Sequence, residues 1–429
     1  MLTFFTILIV LALLMAFRVP IAFAMGIAGT LGLAAQLGVR PALAVLERTF
    51  FDTSASFILV AIPLFILMAE LLTAGDVTRR AIVACQSWIG HIKGGLAIAT
   101  VAASVILAAL VGSSTASTAA MAASAFPEMR AHKYSDRLST AVVSVGGTLA
   151  VVVPPSIVLV VYGVLTETSI GKLFIAGIIP GLLTASGLAL VIKIIAHTTD
   201  QAPKGDPFVL KKAVKDSRHV IPMVLLMLAV IGAIYGGIAS PSEAAALGVM
   251  GSLLIVLLQG TLSFVQFNKS VSGAIRATVM IVAIVGCSAI FSNYLAFTRI
   301  THRMLEFVAT TDMSRETIMA IIILVLLIMG MFMDQLAILS LAMPLAFPTA
   351  MALGYDAVWF GIVVTKTVEI GLLTPPLGLN AYVASAQTRV PLGTIFRGIL
   401  PFLGMEVIVL LVLLFFPQIT LFLPELMTR

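Results

Sequence analysis

Charge is scarce in this chain. Asp, Glu, Lys and Arg make up 10% of its 429 residues and hydrophobic residues 60%, whereas a soluble domain carries about 25% charged residues. A water-soluble globule cannot hide that much apolar surface. Cysteine is nearly absent: Cys85 and Cys287 stand alone, without metal-ligand or redox spacing, so both read as small apolar residues. There is no HExxH, GxSxG, Walker A or CxxC motif, which leaves an enzyme, an ATP-driven pump or a membrane protease without support. The net charge of +6 does not point to nucleic acid either, because the basic residues lie in loops between apolar runs.

Those runs are the dominant feature. Leu2 to Phe17, Ile175 to Ile195, Met223 to Ile238 and Ile318 to Met333 approach or reach the roughly 20 residues that cross a bilayer as helix. The first has no basic leader, and a second apolar segment follows after Arg18, Val19 and Pro20, so a cleavable signal peptide is not expected.

Proline reveals an internal repeat. At a shift of 221 positions Pro20 meets Pro241, Pro127 meets Pro348, Pro154 and Pro155 meet Pro375 and Pro376, Pro180 meets Pro401, and Pro203 meets Pro424. Independent placement would match about 0.4 prolines rather than these six. Flanking residues agree, with Ala125-Phe126-Pro127 matching Ala346-Phe347-Pro348. The expected fold is therefore an all-α polytopic membrane protein of two repeats. Each has five spans, near 2 to 17, 20 to 38, 55 to 73, 138 to 164 and 171 to 197, then 221 to 239, 242 to 260, 275 to 297, 355 to 385 and 395 to 417. An interrupted apolar segment in each half, Gly95 to Met129 and Thr317 to Thr349, reads as a re-entrant hairpin. Five crossings per half invert the second half relative to the first, a signature of alternating-access transporters. The stretches Pro41 to Phe51 and Val77 to Ile92 read as amphipathic helices at the interface.

Loop charge orients the chain. With the basic loop Thr198 to His219 inside, seventeen of the 25 basic residues are cytoplasmic, including Arg18 and Arg276; seven are outside, and Lys366 lies within a span. The N-terminus is then periplasmic, the first hairpin cytoplasmic and the second periplasmic.

Four elements carry the candidate chemistry. The first hairpin turns at Gly112-Ser113-Ser114-Thr115-Ala116-Ser117, a tip able to offer hydroxyls, carbonyls and helix N-terminal amides to an ion or anion, or simply to pack closely through small residues. Facing it are Gly146-Gly147-Thr148 and Pro154-Pro155, matched in the second half by Gly371, Thr374, Pro375, Pro376, Gly378 and Asn380. Adjacent prolines remove two amide donors and strand carbonyls of the preceding turn. Charges inside spans are costly: Asp334 and Gln335 fall where Ser113 and Ser114 fall in the first half, and no partner for Asp334 is near in sequence. Lys366 and Glu369, one turn apart, share a face and suit a self-neutralised pair. Glu243 in Ser240-Pro241-Ser242-Glu243 fits a helix start.

GSSTASTAAMAASAFPEM from Gly112, VGGTLAVVVPPSIVLVVYG from Val145, TSIGKLFIAGIIPGLL from Thr168, SPSEAAALG from Ser240 and VEIGLLTPPLGLNAYV from Val368 resemble the large membrane (M) subunit of the tripartite ATP-independent periplasmic (TRAP) transporters over essentially the whole chain. The resemblance implies an elevator in the bacterial inner membrane, with scaffold segments 1–93 and 201–312 and transport segments 94–200 and 313–429. It implies sodium-coupled import of an organic acid, with a small four-span Q-type membrane subunit and a P-type periplasmic binding protein. Its sodium sites carry over to Ser113, Ser114, Gly146, Gly147, Thr148 and Pro154 in one half. In the other they carry over to Asp334, Gly371, Thr374, Pro375 and Gly378. Substrate contacts fall among Ser113, Ser114, Thr115, Ser117, Asp334, Gln335, Thr374 and Asn380. A stand-alone divalent-anion symporter of similar fold, which needs no partners, and a passive channel are the rival readings.

Overall fold

The computed structural model describes every residue except 1, 76, 204, 206, 219, 301, 304, 305, 307 to 309, 311, 312, 428 and 429, so Lys204 and Arg429 of the charge count, and His219 at the end of the basic loop, lie outside the described residues. The described elements are helical throughout. In the first half α1 (Leu2–Ala16), α2 (Ile21–Leu37), α3 (Val39–Ser54), a short 3-10 turn (Phe57–Val60), α4 (Ala61–Ala74) and α5 (Val77–Ile89) precede the hairpin α6 (Gly95–Val111) and α7 (Ser114–Ala131). Then come α8 (Asp136–Val152), α9 (Ile157–Thr166) and α10 (Ile170–Thr198). The second half has α11 (Leu210–Ser217), α12 (Ile221–Tyr235), α13 (Pro241–Leu258) and α14 (Phe264–Phe297), the hairpin α15 (Arg315–Gly330) and α16 (Gln335–Ala352), then α17 (Ala357–Leu373), α18 (Leu379–Thr388), α19 (Leu392–Phe415) and α20 (Gln418–Met427).

Local chemistry sets these boundaries, and it recurs. Ser135 caps α8 by accepting from the Leu138 amide, and Asp356, 221 residues on, caps α17 by accepting from Val358 and Trp359. Both helices stop before a double proline, whose rings have no N–H to continue the ladder, and both Pro-Pro bonds are cis. Ser240 and Glu243 form a reciprocal capping box with Pro241 in the first turn of α13.

Seven described helical stretches are long and apolar enough to cross a membrane, and the bent pair α11 and α12 makes an eighth if counted as one span. The ten crossings expected from sequence are not all of that length: α1 has 15 residues and α2 has 17, or about 22 and 25 Å of helix. The seven include α16, expected as a hairpin arm. The amphipathic stretches are α3, with its exposed Arg48–Asp52 pair, and α5. The latter pairs with α11 through Ser87 to Asp216 (2.5 Å) and Trp88 to Ser217 (2.8 Å).

Two apolar clusters result. The smaller joins α1, α2, α3 and the end of α14; the larger joins α4, α5 and α13 with both hairpins and both broken spans. Small residues draw α2 onto α14: a Cβ at Gly29 would stand 2.9 Å from the Phe291 Cα, and Gly26 faces Cys287, a close approach that stands in for hydrophobic drive in lipid. Substituting Gly29→Leu should therefore destabilise the chain by about 1 to 3 kcal/mol through overpacking. Gly232→Ala, where an added Cβ meets nothing within 4 Å, should be neutral or mildly stabilising. Thermal unfolding in detergent separates the two.

Candidate functional site

The first hairpin tip lies against the first broken span. Gly112, in the left-handed region (φ 61), packs so closely that an added Cβ would sit 3.2 Å from Ile157 and 3.4 Å from the Pro155 carbonyl. Pro154 and Pro155 cannot serve the carbonyls of Ala150 and Val151; the Ser156 hydroxyl donates to Val151 O at 2.6 Å instead. Pro154, Pro155 and Ser156 are all buried. Ser113 is half-buried, its hydroxyl 3.4 Å from that of Thr115. Ser114 accepts at 2.7 Å from Asn380, which also donates to Ser144 O at 3.3 Å. Asn380, grouped by sequence with the second tip, thus reaches across to the first. Its Oδ1, the Ser117 Oγ and the Thr118 Oγ1 are buried and have no hydrogen-bond partner, an unusual condition for buried polar atoms.

Gly146 and Gly147 lie inside α8, and each explains itself by packing. A Cβ on Gly147 would collide with Thr118 of the hairpin, and one on Gly146 would reach the Ser104 hydroxyl. The second half repeats the device with Gly371 against Gly330, where a Cβ would stand 2.5 Å from the Gly330 Cα.

The second tip is open by comparison. Asp334 is exposed, and the expectation that it lacks a partner nearby is corrected: its Oδ1 accepts from the amides of Leu336 (2.9 Å) and Ala337 (3.2 Å), capping α16. The neighbouring Gln335 is buried with Oε1 unpartnered. Thr374 donates to Ile370 O at 2.7 Å, Gly378 starts α18 at φ 56, and Pro375, Pro376 and Leu377 are exposed. Asp334 lines a cavity of about 570 Å³ that also takes in Arg18 and Arg276.

Between the halves sits a buried ionic cluster. Lys366 pairs with Glu369 at 3.0 Å, as their spacing predicts, and also with Glu406 of α19, which sequence reasoning missed. Its third donor goes to Thr184 of α10 at 2.9 Å. Glu369 Oε1 lies 2.7 Å from the Thr148 hydroxyl, which also reaches Val145 O at 2.8 Å. Lys366, Glu369 and Glu406 are 0% exposed. Burying one ion costs several kcal/mol, so such groups persist only when paired and hydrogen-bonded. The cluster ties α8 and α10 to α17 and α19, and Thr148 and Glu369 are 221 residues apart, the repeat offset itself. The signal that could have found Glu406 is its solitary charge within the apolar run Ile399 to Phe416. Among the described residues no group of three His, Cys, Asp or Glu could hold a metal ion.

Comparison with known proteins agrees with this architecture. Residues 8–419 match the family model of the tripartite ATP-independent periplasmic transporter, DctM component. A C4-dicarboxylate TRAP transporter large permease protein of Pseudomonas aeruginosa is 38% identical, over 87% of this chain and 88% of that protein. The isethionate TRAP transporter permease protein DctMQ of Oleidesulfovibrio alaskensis is 33% identical over 87% of this chain, which spans 59% of that protein. The YdaH transporter of Alcanivorax borkumensis, solved crystallographically, shares the fold at a TM-score of 0.64 and 14% identity, covering 89% of this chain and 90% of that one.

Removing one partner of the cluster should be costly. Lys366→Met leaves two buried carboxylates uncompensated, and a loss of about 3 to 5 kcal/mol is expected. The triple change Lys366→Met, Glu369→Gln, Glu406→Gln should recover much of it. Denaturation of the purified chain reads both.

Proposed function

The chain belongs to the DctM component family of the tripartite ATP-independent periplasmic transporters, and on that premise we propose that this large permease moves an organic acid by sodium-coupled secondary transport across the inner membrane. The observation that carries the sodium reading is the junction of first tip and second-half Asn380. There, buried Ser117 and Asn380 oxygens lack partners beside the hydroxyl of Ser114. Uncharged oxygens at a break in a membrane helix suit a sodium ion. Sodium is cargo here, held by the tip residues and released with the acid.

The duplicated parts support the transport mechanism. The second arms of the hairpins, the broken spans and their caps recur at offsets of 221 or 222 residues, and with an odd number of crossings per half they form inverted repeats. The segments 94–200 and 313–429 move as an elevator against 1–93 and 201–312, in ten crossings with a periplasmic N-terminus. A sealed first break and an exposed second break fit an inward-open state. The second site comprises Asp334, Gln335, Thr374, Pro375 and Gly378. The partners are a small Q-type membrane subunit and a periplasmic binding protein. The first is supported by the Oleidesulfovibrio relative, whose name joins M and Q and which exceeds this chain in length.

Uptake of a labelled organic acid into proteoliposomes holding all three proteins tests the proposal. Uptake should need an inward sodium gradient, and Asn380→Ala or Ser114→Ala should raise the sodium concentration for half-maximal uptake about tenfold, the equivalent of about 1.4 kcal/mol. Equal uptake without sodium would overturn the coupling.

A further inference from the structure

The cavity beside the second tip carries a feature that positioning in loops does not account for. Arg18, at the joint of α1 and α2, and Arg276, inside α14, line the same cavity of about 570 Å³ with Asp334 and Ser340. That size lies within the range of small-molecule sites. Both arginines are exposed, and among the described residues neither forms an ion pair. A preference for cytoplasmic basic residues explains the sign of their charge, but not why two distant segments bring unpaired guanidiniums to one cavity. The nearest helix N-terminus offers no competing anion site, since Asp334 already takes the amides of Leu336 and Ala337. The guanidiniums are therefore the strong anion donors in the cavity, and their planar fork matches a carboxylate in bidentate fashion.

We propose that Arg18 and Arg276 are the carboxylate-recognising pair of this cavity, holding the transported organic acid between α2, α14 and the tip of the second hairpin. The inference rests on the organic-acid reading above and adds the residues that read the acid. Asp334, the acid among the residues that line the cavity, repels carboxylate from the tip end and so biases the anion toward the arginines.

Two readouts on the full chain in lipid nanodiscs test it. With sodium present, equilibrium binding of succinate and of N-acetylneuraminate is measured for wild type, Arg18→Gln, Arg276→Gln and Arg276→Lys. Each glutamine variant should weaken binding at least tenfold, with Arg276→Lys intermediate. Binding unchanged in both glutamine variants overturns the assignment and leaves the proposed function standing. In parallel, Ala283→Cys on the cavity wall, in a background lacking Cys85 and Cys287, is modified with an anionic and a cationic thiol reagent. The anionic-to-cationic rate ratio should fall several-fold when both arginines become glutamine. If neither acid binds wild type, that counts against the organic-acid reading, and the reagent ratio alone judges the cavity: an unchanged ratio overturns the assignment.

Discussion

A helix broken at membrane depth releases backbone groups that lipid cannot satisfy, so every break must be sealed by protein or opened to water. This chain holds one of each. At Pro154-Pro155 the Ser156 hydroxyl meets the freed Val151 carbonyl, and the first hairpin tip closes over the break at Gly112. At Pro375-Pro376 the corresponding residues are exposed and the tip residue Asp334 borders a cavity. Two copies of one element thus occupy two solvation states. A transporter that alternates between faces needs such a difference, because what is sealed in one state must be able to open in the other.

What keeps these elements in one body is the cluster around Lys366. One ammonium spends its three donors on Glu369, Glu406 and Thr184, drawn from three helices, and Thr148 extends the cluster to a fourth. Because Thr148 and Glu369 are separated by the repeat offset, the contact lies where the two halves face each other. Charge in such surroundings contributes geometry more than net stability: each partner is costly alone and tolerable only in company.

How much of this was legible in the sequence depends on the range of the interaction. The prolines, the helix start at Ser240 to Glu243, and the tip at Gly112 to Ser117 were visible because their chemistry is local to a few residues. The pairing of Lys366 with Glu369 was visible for the same reason, at three residues' spacing. Glu406 was not, nor was the link from Asn380 to Ser114 across 266 residues, because only packing brings them together. Gly146 and Gly147 were placed in a sodium site by the resemblance alone; their close approach to Ser104 and Thr118 of the hairpin was not visible, because it depends on how the hairpin packs. Asp334 was read as partnerless because a helix cap two residues ahead depends on the chain turning there, which polar composition alone does not reveal.

The inward-open reading proposed above has the second break open toward the cytoplasmic side while the first is sealed, and the repeat-equivalent residues Ser156 and Leu377 report on it directly. Ser156 is 1% exposed and Leu377 is 38% exposed. Each is changed to cysteine in a chain lacking Cys85 and Cys287, and inside-out and right-side-out membrane vesicles are treated with an impermeant thiol reagent. Ser156→Cys should stay unreacted from either side, while Leu377→Cys reacts from the cytoplasmic face. Equal reactivity of the two, or reaction of Leu377→Cys from the periplasmic face alone, would contradict the account.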